Sequence, residues 1–185
     1  MTTAAVTTAT RSTWAIDPAH TTVEFAVKHL MISTVRGRFA DLSGTVELDD
    51  QNPAESTVDV TINVASIDTR QADRDAHLRS ADFFDVEHFP AMRFKSTRIT
   101  RDGDALNVEG DLTIRGITRP VVLRVTEEGR TRDPWGGQRV GYAASTRINR
   151  RDFGLTWNQA LETGGFVVGD DVKISADVEV VRQQS

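Results

Sequence analysis

A chain of 185 residues with 22 basic and 27 acidic side chains is long enough for one domain, burying roughly 70% of the surface its unfolded form exposes. It has no cysteine, which removes disulfides, zinc–thiolate centres and thiol nucleophiles together. Its net charge of −5 excludes sequence-independent nucleic-acid binding, which needs a basic face, and Arg36-Gly37-Arg38 is too short a basic cluster to supply one.

Residues 1–12 are rich in Thr and Ala and lack the basic and apolar regions of a signal peptide, so a disordered tail on a cytoplasmic protein is expected ahead of a single domain over residues 13–182. No apolar run approaches the roughly 20 residues of a membrane helix. Trp14 and Ile16 open a short strand that turns at Asp17-Pro18. From Thr22 the alternation is two-fold, with Val23, Phe25, Val27 and His29 on one face. Val35, Gly37 and Phe39 continue it, then Val46 and Leu48, then Val58, Val60, Ile62 and Val64 after a turn-rich loop at Asp49–Pro53.

Residues 66–96 break this pattern. Asp68 and Gln71 form an N-cap pair ahead of a short helix through Arg79, and Phe83, Phe84 and Phe89 follow as an aromatic flap that Pro90 ends. A crossover that plugs the barrel end with ordinary core phenylalanines explains the same residues equally well. Strand character resumes with Met92, Phe94 and Ser96. A hairpin turn at Arg101–Asp104 leads into Leu106, Val108, Leu112 and Ile114, with Gly110 marking a bulge or sharp coil. Gly116 turns the chain into Val121, Leu123 and Val125, and Glu127–Gln138 reads as a surface loop. Val140, Tyr142, Ala144, Thr146 and Ile148 make a further strand. A long connection carries Phe153 and Trp157, and Val172, Ile174, Ala176, Val178 and Val180 close the pattern.

Eight or nine half-apolar strands with one short helix must cover themselves. The expected fold is therefore all-β, an antiparallel sandwich or closed barrel, and an eight-stranded barrel leaves room for one small ligand. Few aromatics in the inward set favour a cavity over a filled core. Motifs for acyl transfer, metalloprotease, nucleotide and dinucleotide chemistry are missing from the sequence, so no catalytic residue, metal ligand or cofactor is assigned. Asp73 and His77 read as a helical i, i+4 pair, and Asp85 and Glu87 as a solvated flap edge. His29 is in phase with the inward face, where a satisfied core histidine is its simplest role.

The blocks WAIDPAHTTVEFAVKHLMISTVRGRF, SIDTRQADRDAHLRSADFFDVEHFPAMRFKS, GDLTIRGITRPVVL, NRRDFGLTWN and VGDDVKISADVEV, in this order over residues 13–182, resemble the YceI-like family. That resemblance implies an eight-stranded lipocalin-like antiparallel barrel with one short helix and an aromatic flap near its mouth. The implied activity is non-enzymatic binding, storage or transport of a polyisoprenoid or isoprenoid quinone. Many relatives carry an export signal, whereas the polar tail here implies a cytoplasmic or unconventionally exported variant.

On the same resemblance Phe25, Val27, Phe39, Val60, Ile62, Phe94, Leu112, Leu123, Tyr142 and Ile148 are expected to form the tunnel wall. Phe83, Phe84, Phe153 and Trp157 are expected to close its mouth, and His29, Arg36 and Arg79 to meet a polar head group at the rim. The competing functions are a lipid-modifying enzyme using the same cup and a filled-barrel interaction module. Exposed apolar surface at the flap would suit a homodimer contact.

Overall fold

A computed structural model describes residues 11–162 and 164–184. The strands are β1 (Arg11–Ile16), β2 (Thr22–His29), β3 (Ser33–Phe39), β4 (Leu42–Asp49), β5 (Thr57–Asn63), β6 (Ile67–Asp68), β7 (Ala91–Asp102), β8 (Ala105–Ile114), β9 (Ile117–Arg132), β10 (Gln138–Asn149) and β11 (Val168–Arg182). Among the described residues there is one α-helix, α1 (Ala72–Arg79), between β6 and β7. The expected tail lies outside the described residues up to residue 10, and β1 begins at Arg11, ahead of the expected domain start at residue 13.

The short early strands are broken halves of long ones. β1 and β2 both pair with β11, at Val180–Arg182 and Val172–Asp177 respectively. β4 pairs with β1 while β3 pairs with β2, and β5 and β6 pair in turn with β4 and β3. Counting each broken pair once gives eight antiparallel strands in sequence order, closed where β11 meets β1 and β2. Closure leaves no long free edge.

Side chains supply the hydrogen bonds that the breaks remove from the ladder. At the first break Thr21 Oγ1 accepts from Glu179 N (3.1 Å), and Asp17 Oδ1 accepts from Ala19 N (3.0 Å). At the next, Ser66 Oγ accepts from Ala40 N (3.2 Å) and Asp41 N (3.1 Å), and itself donates to Asn63 O (2.6 Å). Every buried backbone donor needs such a partner.

Three sequence expectations are corrected. The surface loop expected over Glu127–Gln138 is shorter, residues 133–137: β9 runs on to Arg132, because Gln138–Ser145 of β10 pairs with it around a bulge at Glu128. His77 bonds Asp82 (2.8 Å) rather than Asp73, since the turn after α1 brings Asp82 back to the helix end. The cap of α1 is Gln71, whose Oε1 accepts from Arg74 N, while Asp68 instead receives Arg70 N (2.8 Å). Gly110 is as tight as expected, for a methyl there would sit 2.5 Å from the Phe94 ring and 2.6 Å from Lys95 O, and the bulge falls across from it on β7 between Ser96 and Arg98.

Candidate functional site

In a barrel whose strands alternate in direction, every second connection falls at the same end. One end collects the β2–β3 hairpin, the α1 segment, the β8–β9 turn and the β10–β11 connection; the other collects the β4–β5, β7–β8 and β9–β10 connections. These two ends are built of different chemistry.

The first is a plug. Phe39, Val64, Ile67, Phe83, Met92, Ile114, Ile148, Phe153 and Leu155 form one buried cluster, with Phe25, Leu78, Phe84 and Trp157 packed against it. His77 stands edge-on to both Phe83 and Trp157, with ring centroids 5.0 and 4.9 Å apart. Polar groups lock the backbone of this plug. Buried Asp75 accepts from Thr69 N and Oγ1, Arg74 donates to Thr69 O (2.8 Å), and Arg115 ties Gly154 O (3.0 Å) to Ala81 O (2.9 Å). Arg150, only 3% exposed, donates to the carbonyls of Gly169 (2.8 Å), Trp157 (2.9 Å) and Leu155. Its guanidinium pKa is lowered by burial.

Above the plug lies a cavity of about 420 Å³ running along the barrel axis. All ten expected wall residues line it: Phe25, Val27, Phe39, Val60, Ile62, Phe94, Leu112, Leu123, Tyr142 and Ile148. They do so because period-two alternation puts one face of each strand inward, and barrel closure converges those faces. A cavity this size, walled by aliphatic and aromatic groups, is dimensioned for one small or elongated apolar molecule.

The other expectations for the site are placed differently. Phe83 and Phe84 line the inner end of the cavity, but Phe153, 1% exposed, is enclosed in the plug, and Trp157 packs against the plug rather than lining the cavity. His29, Arg36 and Arg79 do not line it either. His29 ends β2 at the hairpin, Arg36 is exposed on the outer face of β3, and Arg79 donates to Ala65 O (2.9 Å) and Ile67 O (2.7 Å), pinning the plug.

At the opposite end Asp50, Arg101, Asp104, Glu127 and Arg130 line the cavity and are exposed around the opening. Sequence reasoning missed all five, yet a signal was present. Val46, Leu48 and Asp50 keep one phase, as do Val121, Leu123, Val125 and Glu127, and Asp104 continues the set Leu112, Val108 and Leu106. Each charge is the next inward position after the apolar run ends.

Arg130 holds this mouth together. Its Nε and Nη2 donate to Glu127 (2.7 and 2.9 Å), and its Nη1 to Asp50 (2.7 Å). Glu127 and Arg130, three residues apart on a strand, would ordinarily face opposite ways; the bulge at Glu128 adds the residue that turns both inward. Tyr142 stands directly across from Glu127 in the β9–β10 pair. Its phenol pKa is raised to about 12, first by burial and then by the neighbouring carboxylates of Glu127 and Asp50.

Asp17, His20 and Glu179 form the one cluster among the described residues with metal-ligand spacing, on the outside of the barrel. A cation already sits there: Arg139 bonds Asp17 (2.7 Å), Asp133 (2.8 Å) and Glu179. No helix among the described residues is long and apolar enough to cross a membrane.

Comparison with known proteins gives a consistent result. The model of the YceI-like domain matches residues 14–180. The YceI protein of Escherichia coli O157:H7 is 46% identical over 136 residues, covering 74% of this chain and 71% of that protein. Among solved structures, BcnA of Burkholderia cenocepacia superposes with a TM-score of 0.78 at 25% identity, covering 89% of this chain and 98% of its own. A polyisoprenoid-binding domain from Saccharophagus degradans superposes with a TM-score of 0.66 over 92% of this chain and 98% of its own, and at 14% identity the likeness is one of fold.

Proposed function

The chain belongs to the YceI-like family, and on that footing we propose that it is a non-enzymatic carrier or reservoir that holds an isoprenoid lipid in the barrel interior. The observation that carries this reading is the shape of the cavity: about 420 Å³, apolar along its walls, stopped by a locked aromatic plug at one end and opening among charged residues at the other. A long apolar chain fits with its tail against Phe83 and Phe84 and its polar end at the mouth. The polyisoprenoid binding of the Saccharophagus domain, a protein of the same fold, is in keeping with such a ligand.

Binding follows from burial. Each buried CH₂ is worth about 0.8 kcal/mol, so one isoprene unit contributes up to about 4 kcal/mol. About four units, at up to about 16 kcal/mol, exceed even the upper end of the roughly 4–15 kcal/mol cost of association. Affinity therefore rises with chain length until the tail meets the plug.

The test is native mass spectrometry of the purified protein, followed by organic extraction and identification of what is released. A stoichiometric long-chain isoprenoid is expected. Protein that carries no lipid and takes up no added prenyl chain would refute the reading.

A further inference from the structure

We infer that the mouth is a head-group subsite for an uncharged, oxygen-bearing head group, with the Tyr142 hydroxyl as its hydrogen-bond donor and the Asp50–Arg130–Glu127 bar turning away a diphosphate. This rests on the isoprenoid reading and narrows it.

The first support is topological. In the closed ring β1–β4–β5–β7–β8–β9–β10–β11, β4 and β9 are four steps apart in either direction. Asp50 follows β4 and Arg130 lies on β9, so their ion pair at 2.7 Å spans the mouth from one side of the barrel to the other. A ligand head leaving the cavity meets this bar.

The second is charge. A guanidinium offers five N–H donors, and here its Nε, Nη1 and Nη2 all face carboxylates. Arg130 is thus neutralised twice over and has no unbalanced charge for a phosphate. With Asp49 beside Asp50, and Arg101 and Asp104 on the β7–β8 hairpin, this end of the lining holds four carboxylates against two guanidinia, two net negative charges. A diphosphate brought to it meets like charge, and the one rim guanidinium outside the bar, Arg101, stands on the same hairpin as Asp104. An uncharged head leaves the bar intact.

The third is a free donor. Tyr142 lines the cavity directly across from Glu127, and among the described residues no protein group hydrogen-bonds its hydroxyl. No fully buried side-chain nitrogen or oxygen among those residues lacks a partner, so this hydroxyl opens onto the cavity instead of being sealed in the wall. Its raised pKa keeps it a neutral donor throughout the ordinary pH range. The complementary ligand group is a hydroxyl or carbonyl oxygen.

The test compares three chains of one length by displacement of the apolar fluorophore N-phenyl-1-naphthylamine: geranylgeraniol, geranylgeranyl diphosphate and the hydrocarbon phytane. Geranylgeraniol should bind at least tenfold more tightly than the diphosphate. Tyr142→Phe should lower the ratio of alcohol to hydrocarbon affinity about fivefold, the worth of one neutral hydrogen bond. The double substitution Asp50→Asn, Glu127→Gln, which keeps shape and removes the charge, should raise diphosphate affinity about tenfold. Tightest binding by the diphosphate, lost in Arg101→Ala, would overturn the inference, as would ratios that none of these substitutions moves. Displacement by phytane without head-group discrimination would leave the carrier reading standing and only this inference refuted, whereas failure of all three chains would refute both.

Discussion

Arg150 shows how a charged side chain can be a core residue. It is 3% exposed, and its guanidinium gathers the carbonyls of Leu155, Trp157 and Gly169, with Asp170 Oδ1 at 3.2 Å as its counter-charge. Leu155 and Trp157 lie in a connection without regular structure, and Gly169 in the start of β11 where its pairing with β2 is interrupted between Val168 and Val172, so the arginine stands in for a ladder. Asn158 does the same beside it, accepting from Val168 N (3.0 Å) and donating to Val168 O (2.7 Å). Replacing Arg150 by Met keeps the stem and orphans the acceptors. The expected loss is about 3 kcal/mol or more in urea unfolding, since each buried acceptor left unpaired costs ~1–3 kcal/mol. Arg150→Lys should recover only part of it, because an ammonium cannot reach carbonyls spread around a planar fork. The block NRRDFGLTWN owes its composition to this lock on the plug, with Asn149 capping the short turn, Phe153 filling the plug and Gly154 taking the left-handed conformation at φ 73°.

At the level of elements, the junctions between strands carry the specific chemistry. The broken first strand is held to the β9–β10 hairpin by Arg139, which bonds Asp17, Asp133 and Glu179 together. Asp17 is lowered to about 2, first by its hydrogen bond from His20 and then by that from Arg139, and Asp133 is lowered chiefly by Arg139. In the unfolded chain these carboxyls take up protons near the ordinary pKa of 3.8, at a pH where the folded ones remain ionised. The unfolded state then binds more protons, so this contribution to stability is complete above about pH 4 and is lost as the pH falls toward 2. Arg139→Ala should lower stability at pH 7 and flatten its dependence between pH 4 and 2, read from urea midpoints across that range. The β7–β8 pair makes a second prediction. Gly110→Ala forces a methyl against Lys95 O, a backbone atom that cannot rotate away, and the variant should lose about 1–3 kcal/mol of stability in a thermal melt.

The same junctions explain what could be read in advance. Alternation along Val58, Val60 and Ile62, or Val172 through Val180, depends on neighbours two residues away, so it makes the all-β class legible and puts these residues on the face that lines the cavity. The end that opens depends on ring order, which is non-local, so the sequence does not tell mouth from plug: Phe153 and Trp157 belong to the plug, and Arg36 and Arg79 do not reach the cavity. Arg130 is hidden by the bulge at Glu128, which reverses the inward phase in a stretch where Gly129 and the nearby turn residues Pro134, Gly136 and Gly137 make the end of the strand read as loop.

For the molecule as a whole, the consequence of a stopped tunnel is a ruler. On the carrier reading proposed above, an apolar chain enters past the Asp50–Arg130 bar and runs toward Phe83 and Phe84, so the tunnel's depth sets the longest tail that is fully buried. Ala144 lines the wall midway along β10, between Tyr142 at the mouth and Ile148 beside the plug. Ala144→Phe projects a ring into space that is already present, so the fold should tolerate it with little loss of stability. Binding should not be spared. A ring that displaces two methylenes of a bound tail removes about 1.6 kcal/mol, and each further pair as much again. Long prenyl chains should therefore lose at least tenfold in affinity while chains short enough to end above residue 144 lose little, and titration of prenols of increasing length against the two proteins measures this. Equal losses at every length would mean that the chain does not lie along the axis, and the plug would then be structural support for the barrel rather than the end of its ruler.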